Sequence, residues 1–198
     1  MLSKILLPIV ALQAGLAAAT GNAILSNRCS YDVWVWSVDQ SSTSGPIHVP
    51  ARTQYSEAFK STCDGCGTSM KISKSNQLVA GAQTQFEYSI VSGQLWYDIS
   101  FVDCAQGDSA SSCPGHDSGL AMNSPQQACG SVDCAGGSYC PTKAYYVDFP
   151  EQKLGLADPV FTCPGISSQN MDLYMTVCSD EAPMKRSIAG RLAIPLDG

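Results

Sequence analysis

Glu87 and Asp98 are two carboxylates that the chain's spacing allows to meet across a hairpin. Glu87 stands in the alternating run 84–91 and Asp98 in a second such run, 95–102, with Ser92-Gly93-Gln94 between them. A short connection holding a Gly, which reaches positive φ at little steric cost, joins two antiparallel strands as a hairpin. Counted from Gly93, Glu87 lies six residues back and Asp98 five residues on, so the two carboxylates fall close to opposite each other. Like charges that near repel, which raises the pKa of one and leaves an acid beside a base. Hydrolysis of a glycosidic bond uses such a pair, set roughly 5–5.5 Å apart for retention of configuration or about 6.5–9.5 Å apart for inversion. Trp96, Tyr97 and Tyr88 on the same hairpin are candidate stacking faces, against the commoner fate of such rings, burial in the core. Asp103, just past the second run, is a further candidate acid. The plainer reading makes Glu87 and Asp98 ordinary polar positions on a strand face. Binding without turnover asks less of them than catalysis does.

Other chemistries fit less well. His48 and His116 are the only histidines, one in each half of the chain, and no G-x-S-x-G nucleophile motif accompanies them. His116-Asp117 sits in a Cys- and Gly-rich stretch and reads as a solvated pair. No phosphate-cradling Gly loop or Ca²⁺ loop occurs. Cys63-Asp64-Gly65-Cys66 and the group Cys129, Cys134 and Cys140 have the look of metal or redox sites, but both uses require thiolates and therefore a reducing compartment. No cofactor and no metal are expected.

The elements that must position these residues read as β throughout. Residues 31–38, Tyr-Asp-Val-Trp-Val-Trp-Ser-Val, alternate with period two and are apolar on both faces apart from Asp32, which predicts a strand buried from both sides. Further strands are expected at 54–59, 69–73, 84–91, 95–102, 144–149 and 171–177. In the last of these Met171, Leu173, Met175 and Val177 form one apolar face suited to a core. No stretch of ten or more residues shows helical periodicity, and short strands parted by Gly, Pro and Ser turns indicate a sandwich or barrel. Residues 106–141, rich in Gly, Ser and Cys and poor in large apolar side chains, are expected to be a disulfide-stapled loop region beside the sandwich.

The 198 residues include 44% hydrophobic and 14% charged positions and a net charge of −6, enough apolar content for one packed domain. An acidic balance argues against nucleic acid and anionic membrane as partners, since both are held by clustered Lys and Arg. Residues 1–19 read as an export signal, with Lys4, an apolar run from Ile5 to Leu16 broken by Pro8 and Gln13, and Ala17-Ala18-Ala19 as cleavage site. That run is too short for a membrane anchor, which needs about 20 apolar residues. All 10 cysteines follow it: Cys29, Cys63, Cys66, Cys104, Cys113, Cys129, Cys134, Cys140, Cys163 and Cys178. An even count in an exported chain implies five disulfides, whose connectivity the spacing leaves open. A domain is expected over 20–178, followed by a flexible tail over 179–198 in which Lys185-Arg186 offers a dibasic processing site. The product is expected to be soluble, monomeric, and extracellular or associated with the cell wall.

Four stretches resemble the thaumatin-like family: Asn27-Arg28-Cys29-Ser30-Tyr31-Asp32-Val33-Trp34; Gln85-Phe86-Glu87-Tyr88-Ser89; Trp96-Tyr97-Asp98-Ile99-Ser100-Phe101-Val102-Asp103; and Cys129-Gly130-Ser131-Val132-Asp133-Cys134 running on to Cys140-Pro141. Gly45-Pro46, Tyr55-Ser56-Glu57-Ala58-Phe59 and Ser69-Met70-Lys71-Ile72-Ser73 are similar to its small fungal branch, the yeast-phase-specific or antigenic secreted proteins. The longer Cys-rich signature of the plant members is absent around Cys63 and Cys66. The resemblance implies an all-β, two-sheet sandwich with a disulfide-rich loop region, and Cys29 paired with Cys178. It implies a binding role toward β-glucan of a cell wall, or toward a host surface or apoplastic protein, as an antigen or effector-type protein. The alternative it carries is a slow endo-β-1,3-glucanase with Glu87 and Asp98 in an acidic cleft. Glu87, Asp98, Asp103, Trp96 and Tyr97 are the candidate binding residues.

Overall fold

The structure is a computed structural model that describes residues 21–184; the 1–19 export signal and the Lys185-Arg186 site lie outside the described residues. Eleven strands and one short helix follow in order: β1 (Asn22–Asn27), β2 (Val33–Val38), β3 (Thr43–Val49), β4 (Gln54–Ala58), β5 (Gly67–Ser73), β6 (Thr84–Val91), β7 (Gln94–Ser100), β8 (Leu120–Asn123), β9 (Val132–Cys134), α1 (Pro150–Leu154), β10 (Phe161–Ser167) and β11 (Leu173–Val177). They form a five-stranded sheet, β4-β1-β11-β8-β9, and a six-stranded sheet, β10-β7-β6-β5-β2-β3. Between them lies one core to which the inward residues of every long strand contribute, among them Leu25, Val35, Met70, Ile72, Phe86, Ile99, Leu173 and Met175. The all-β, two-sheet sandwich that the family resemblance implied is therefore the fold, one of the two architectures the alternating pattern left open.

The β6–β7 hairpin shows how the sequence makes its own register. Ser92 and Gly93 both take positive φ, 50° and 79°, and form a two-residue turn whose twist matches that of the flanking strands. With Val91 opposite Gln94, each step inward pairs the next residues, so Glu87 comes to lie directly across from Asp98. Period-two alternation sends Phe86, Tyr88, Leu95, Tyr97 and Ile99 into the core and leaves Gln85, Glu87, Trp96 and Asp98 on the outer face.

Some expectations need correction. Residues 144–149 are not a strand: Tyr145 makes one isolated bridge to Ser100, and Phe149-Pro150 then turns the chain into α1. The Cys-rich stretch 106–141 does not lie wholly beside the sandwich. It contributes β8 and β9 to the five-stranded sheet, because Leu120, Met122 and Val132 supply just enough inward apolar side chain. β2 is not buried on both sides along its length. Val33 and Val35 face the core and Trp36 is covered, whereas Trp34 stacks on His48, ring centroids 5.0 Å apart, at the half-open outer face. The domain also runs past Cys178. The amides of Ser179 and Asp180 donate to Gly119 and Ser118, and Arg52 donates to the Ala182 carbonyl, so the first residues assigned to a flexible tail are pinned to the sandwich.

The ten cysteines form five disulfides, Cys29–Cys178, Cys63–Cys66, Cys104–Cys113, Cys129–Cys163 and Cys134–Cys140. Cys29–Cys178, the pair the resemblance implied, ties the exit of β1 to the exit of its parallel neighbour β11. Beside it, buried Asn27 donates through Nδ2 to the carbonyls of Tyr31, Val49 and Pro50 and accepts from the Cys29 amide. One side chain thus satisfies the backbone where the chain leaves the first sheet for the second.

Candidate functional site

A groove runs over the outer face of the six-stranded sheet, along β6 and β7. One part, about 610 Å³, is lined by Asp39, Gly67, Ser69, Glu87, Trp96, Asp98 and Val160 among others. A second part, about 400 Å³, is lined by Gln85, Ser100, Val102, Tyr145, Asp148, Phe149 and Asp158. Glu87 lines both, which places it at the middle of the groove's length.

The electrostatics follow from where the strands put the carboxyl groups. Asp98 is half-buried in the floor with Oδ1 lacking any hydrogen-bond partner. Burial, with the charges of Glu87 and Asp158 nearby, pushes it up to about 8. Glu87 is also raised, chiefly by burial, while the Ser69 hydroxyl and the Lys71 ammonium act in the opposite direction. At neutral pH Asp98 therefore holds its proton directly across the hairpin from Glu87. Burial and the charges of Asp98, Asp158 and Glu87 push the Tyr145 phenol up to about 12, so its hydroxyl stays a donor at the groove's edge. At the two ends the acids are more open to solvent and set by local contacts. Hydrogen bonds from Ser41 and Ser42 bring Asp39 down to about 2, and Lys153 lowers Asp148. Among the described residues no three His, Cys, Asp or Glu side chains come together as a metal site.

The expected site residues separate cleanly. Glu87, Asp98 and Trp96 are brought together; Trp96, 38% exposed, lines the groove together with Val160. Tyr97 is corrected: it is 0% exposed because alternation turns it inward, and its hydroxyl donates to the Gly130 carbonyl across the core. Tyr88 is buried likewise, its hydroxyl accepting from the Lys60 amide. Asp103 is corrected too, since its carboxylate accepts from the amides of Gly81 and Gln83 and holds that loop instead of lining the groove. His116 is no solvated loop residue. It is buried edge-on against Phe101 and Tyr146, with Nε2 3.2 Å from the Ser138 carbonyl.

Sequence reasoning missed Asp39, Tyr145, Asp148, Phe149 and Asp158. Asp39 comes from the β2–β3 turn and the others from the segment around α1, and no strand pattern signals that this segment folds back to the end of β7. The one available cue was Phe149-Pro150, a large apolar residue placed directly before a helix-starting proline.

Comparison with known proteins agrees with this architecture. A family model described as Blastomyces yeast-phase-specific protein matches residues 10–179. The antigenic thaumatin-like protein of Arthroderma benhamiae is 28% identical over 117 residues, 59% of this chain and 55% of that protein. The chain thus spans little more than half the length of that relative. The secreted thaumatin-like protein calA of Emericella nidulans is 30% identical over 127 residues, 64% of this chain and 69% of its own. Among solved structures, the protein elicitor MoHrip2 from Magnaporthe oryzae has the same fold, with a TM-score of 0.54 at 21% identity over 80% of this chain and 99% of that one.

Proposed function

The chain belongs to the Blastomyces yeast-phase-specific protein family, within the small fungal branch of the thaumatin-like proteins, and from that membership we propose that it is a secreted protein that binds a cell-wall β-glucan in the groove over β6 and β7. The observation that carries this reading is the half-exposed Trp96 beside the Glu87–Asp98 pair. A sugar ring offers a C–H face to an aromatic ring and hydroxyl donors to a carboxylate, and those two surfaces stand side by side here. A host surface protein is the other partner compatible with the family, and the names of the relatives, one antigenic and one secreted, support an extracellular or wall-associated place.

The test is a pull-down of the purified secreted chain on insoluble β-1,3-glucan with reducing sugar assayed in the supernatant. Trp96→Ala is expected to weaken binding about 10-fold, the loss of one stacked contact worth about 1.4 kcal/mol. Retention of full affinity by Trp96→Ala, or no binding by the parent chain, rejects the glucan reading and directs the search to host proteins.

One observation favours hydrolysis as a second reading. Glu87 and Asp98 stand directly opposite each other on the hairpin, and burial with the nearby carboxylates holds Asp98 up to about 8, which suits it to the acid's part in glycosidic cleavage with Glu87 as its partner. If sugar is released, Glu87→Gln and Asp98→Asn abolish the release while Trp96 retains part of the polymer binding. Binding without release leaves a lectin-like protein.

A further inference from the structure

Phe149 is 63% exposed, the largest exposure among the big apolar side chains of the described residues. Its backbone is left-handed, φ 52° and ψ 61°, a conformation that L side chains rarely adopt and that is a clear outlier for a bulky one. An aromatic ring left in water on a strained backbone costs folding energy twice, and such strain persists where the surroundings over-determine it, often at ligand clamps. The surroundings do so here. Pro150 is buried at the first position of α1, the Phe149 carbonyl accepts from the amides of Gln152 and Lys153, 3.1 Å each, and Lys153 pairs with Asp148. On the other side, the Tyr145 carbonyl and amide are bonded to Phe101 and Ile99 at the end of β7.

The ring held this way lines the part of the groove that adjoins Ser100, whereas Trp96 lines the part that adjoins Asp98. From Trp96 to Ser100 is four residues of strand, a rise of about 13 Å, so the two rings lie toward opposite ends of the carboxylate pair along β7. That length of strand is more than one sugar ring covers. We propose that Phe149 is a second stacking platform, and that the groove takes an internal stretch of a neutral glycan chain laid along β7 from Trp96 past Glu87 to Phe149. The lining carboxylates Asp39, Glu87, Asp148 and Asp158 disfavour an anionic polymer, and the two exposed rings offer stacking faces suited to the C–H faces of uncharged sugar units. The inference rests on the glycan-binding reading above and adds to it a chain-length requirement.

Soluble β-1,3-glucan and the corresponding disaccharide distinguish the two. Phe149→Ala and Phe149→Gly are both expected to lower affinity for the long chain about 10-fold and to leave disaccharide affinity unchanged, whereas Trp96→Ala lowers both. Phe149→Tyr restores the long-chain affinity because the ring remains. Glycine relieves the left-handed strain and alanine does not, so equal binding losses with different melting temperatures separate a lost contact from a damaged fold. Unchanged long-chain affinity in Phe149→Ala alongside a loss in Trp96→Ala overturns the second platform but not the glycan reading. Equal losses for disaccharide and polymer overturn it as well. A parent chain that binds neither sugar overturns both.

Discussion

Replacing Cys29 and Cys178 together by Ala is expected to lower stability by about 4–5 kcal/mol, whereas replacing Cys63 and Cys66 costs about 2 kcal/mol or less. The difference comes from the loops the bonds close. Cys29 and Cys178 are 149 residues apart, and Cys63 and Cys66 only 3. A bond that joins distant residues removes far more freedom from the unfolded chain, and the cost grows with the logarithm of the loop. The long bond also sits where the native state can least replace it. It joins the exits of two central parallel strands, beside the buried Asn27 that holds three carbonyls of the crossing between sheets. For a domain whose total stability is of order 5–15 kcal/mol, the larger figure is enough to shift much of the population to the unfolded state on warming. Urea melts of the parent and the two double variants measure this as a shift in midpoint at similar slope. Equal shifts for the two pairs would contradict the chain-entropy argument.

The same contrast between local and distant determinants explains what could be read from the sequence. The β6–β7 hairpin was legible because everything needed is local: alternation on both arms, Ser92-Gly93 for two positive φ values, and hence Glu87 opposite Asp98. β11 was legible through its one apolar face. β1 was not, since Asn22–Asn27 is short and its pairing with β11 spans nearly the whole chain. β8 and β9 were hidden in a Gly- and Ser-rich background, where four and three residues carry too little periodicity to stand out. In the site, Glu87 and Asp98 were found through the count outward from Gly93 and the family resemblance, and strand parity puts Trp96 on the same face. Parity should also have removed Tyr97, one residue from each of Trp96 and Asp98. The groove's other end depends on Tyr145, Phe149 and Asp158, which reach β7 through loops whose course is set by tertiary contacts.

Stability is expected to fall as pH rises from about 4 to about 8, and Asp98→Asn is expected to remove most of that fall. In the unfolded chain Asp98 titrates near its ordinary value of 3.8, whereas in the native groove burial, Glu87 and Asp158 hold it up to about 8. Between those values the native state keeps a proton that the unfolded state has released. The unfolded state then binds fewer protons, so the free energy of unfolding decreases with pH at up to about 1.4 kcal/mol per unit. Below pH 4 both states are protonated and the penalty is absent; above pH 8 both are ionised and it is constant. Residual solvent at the groove floor reduces the expected total to about 2–4 kcal/mol. Asp39, Asp32 and Asp148, all lowered by local hydrogen bonds or ion pairs, act with the opposite sign, and their contributions are lost only as pH falls below about 4. The parent chain should therefore melt highest near pH 4–5. An Asn at 98 has the same shape and no charge to desolvate, and its amide donates toward Glu87, so the variant should melt above the parent at pH 8 and match it near pH 4. Glu87→Gln separates the two causes. It removes the like charge but not the burial, so an NMR titration should find Asp98 lower than in the parent yet still above 3.8. Coincident melting curves for Asp98→Asn and parent across this range would mean that Asp98 is ionised in the native groove, and with that the acid required by the hydrolytic reading would be lost.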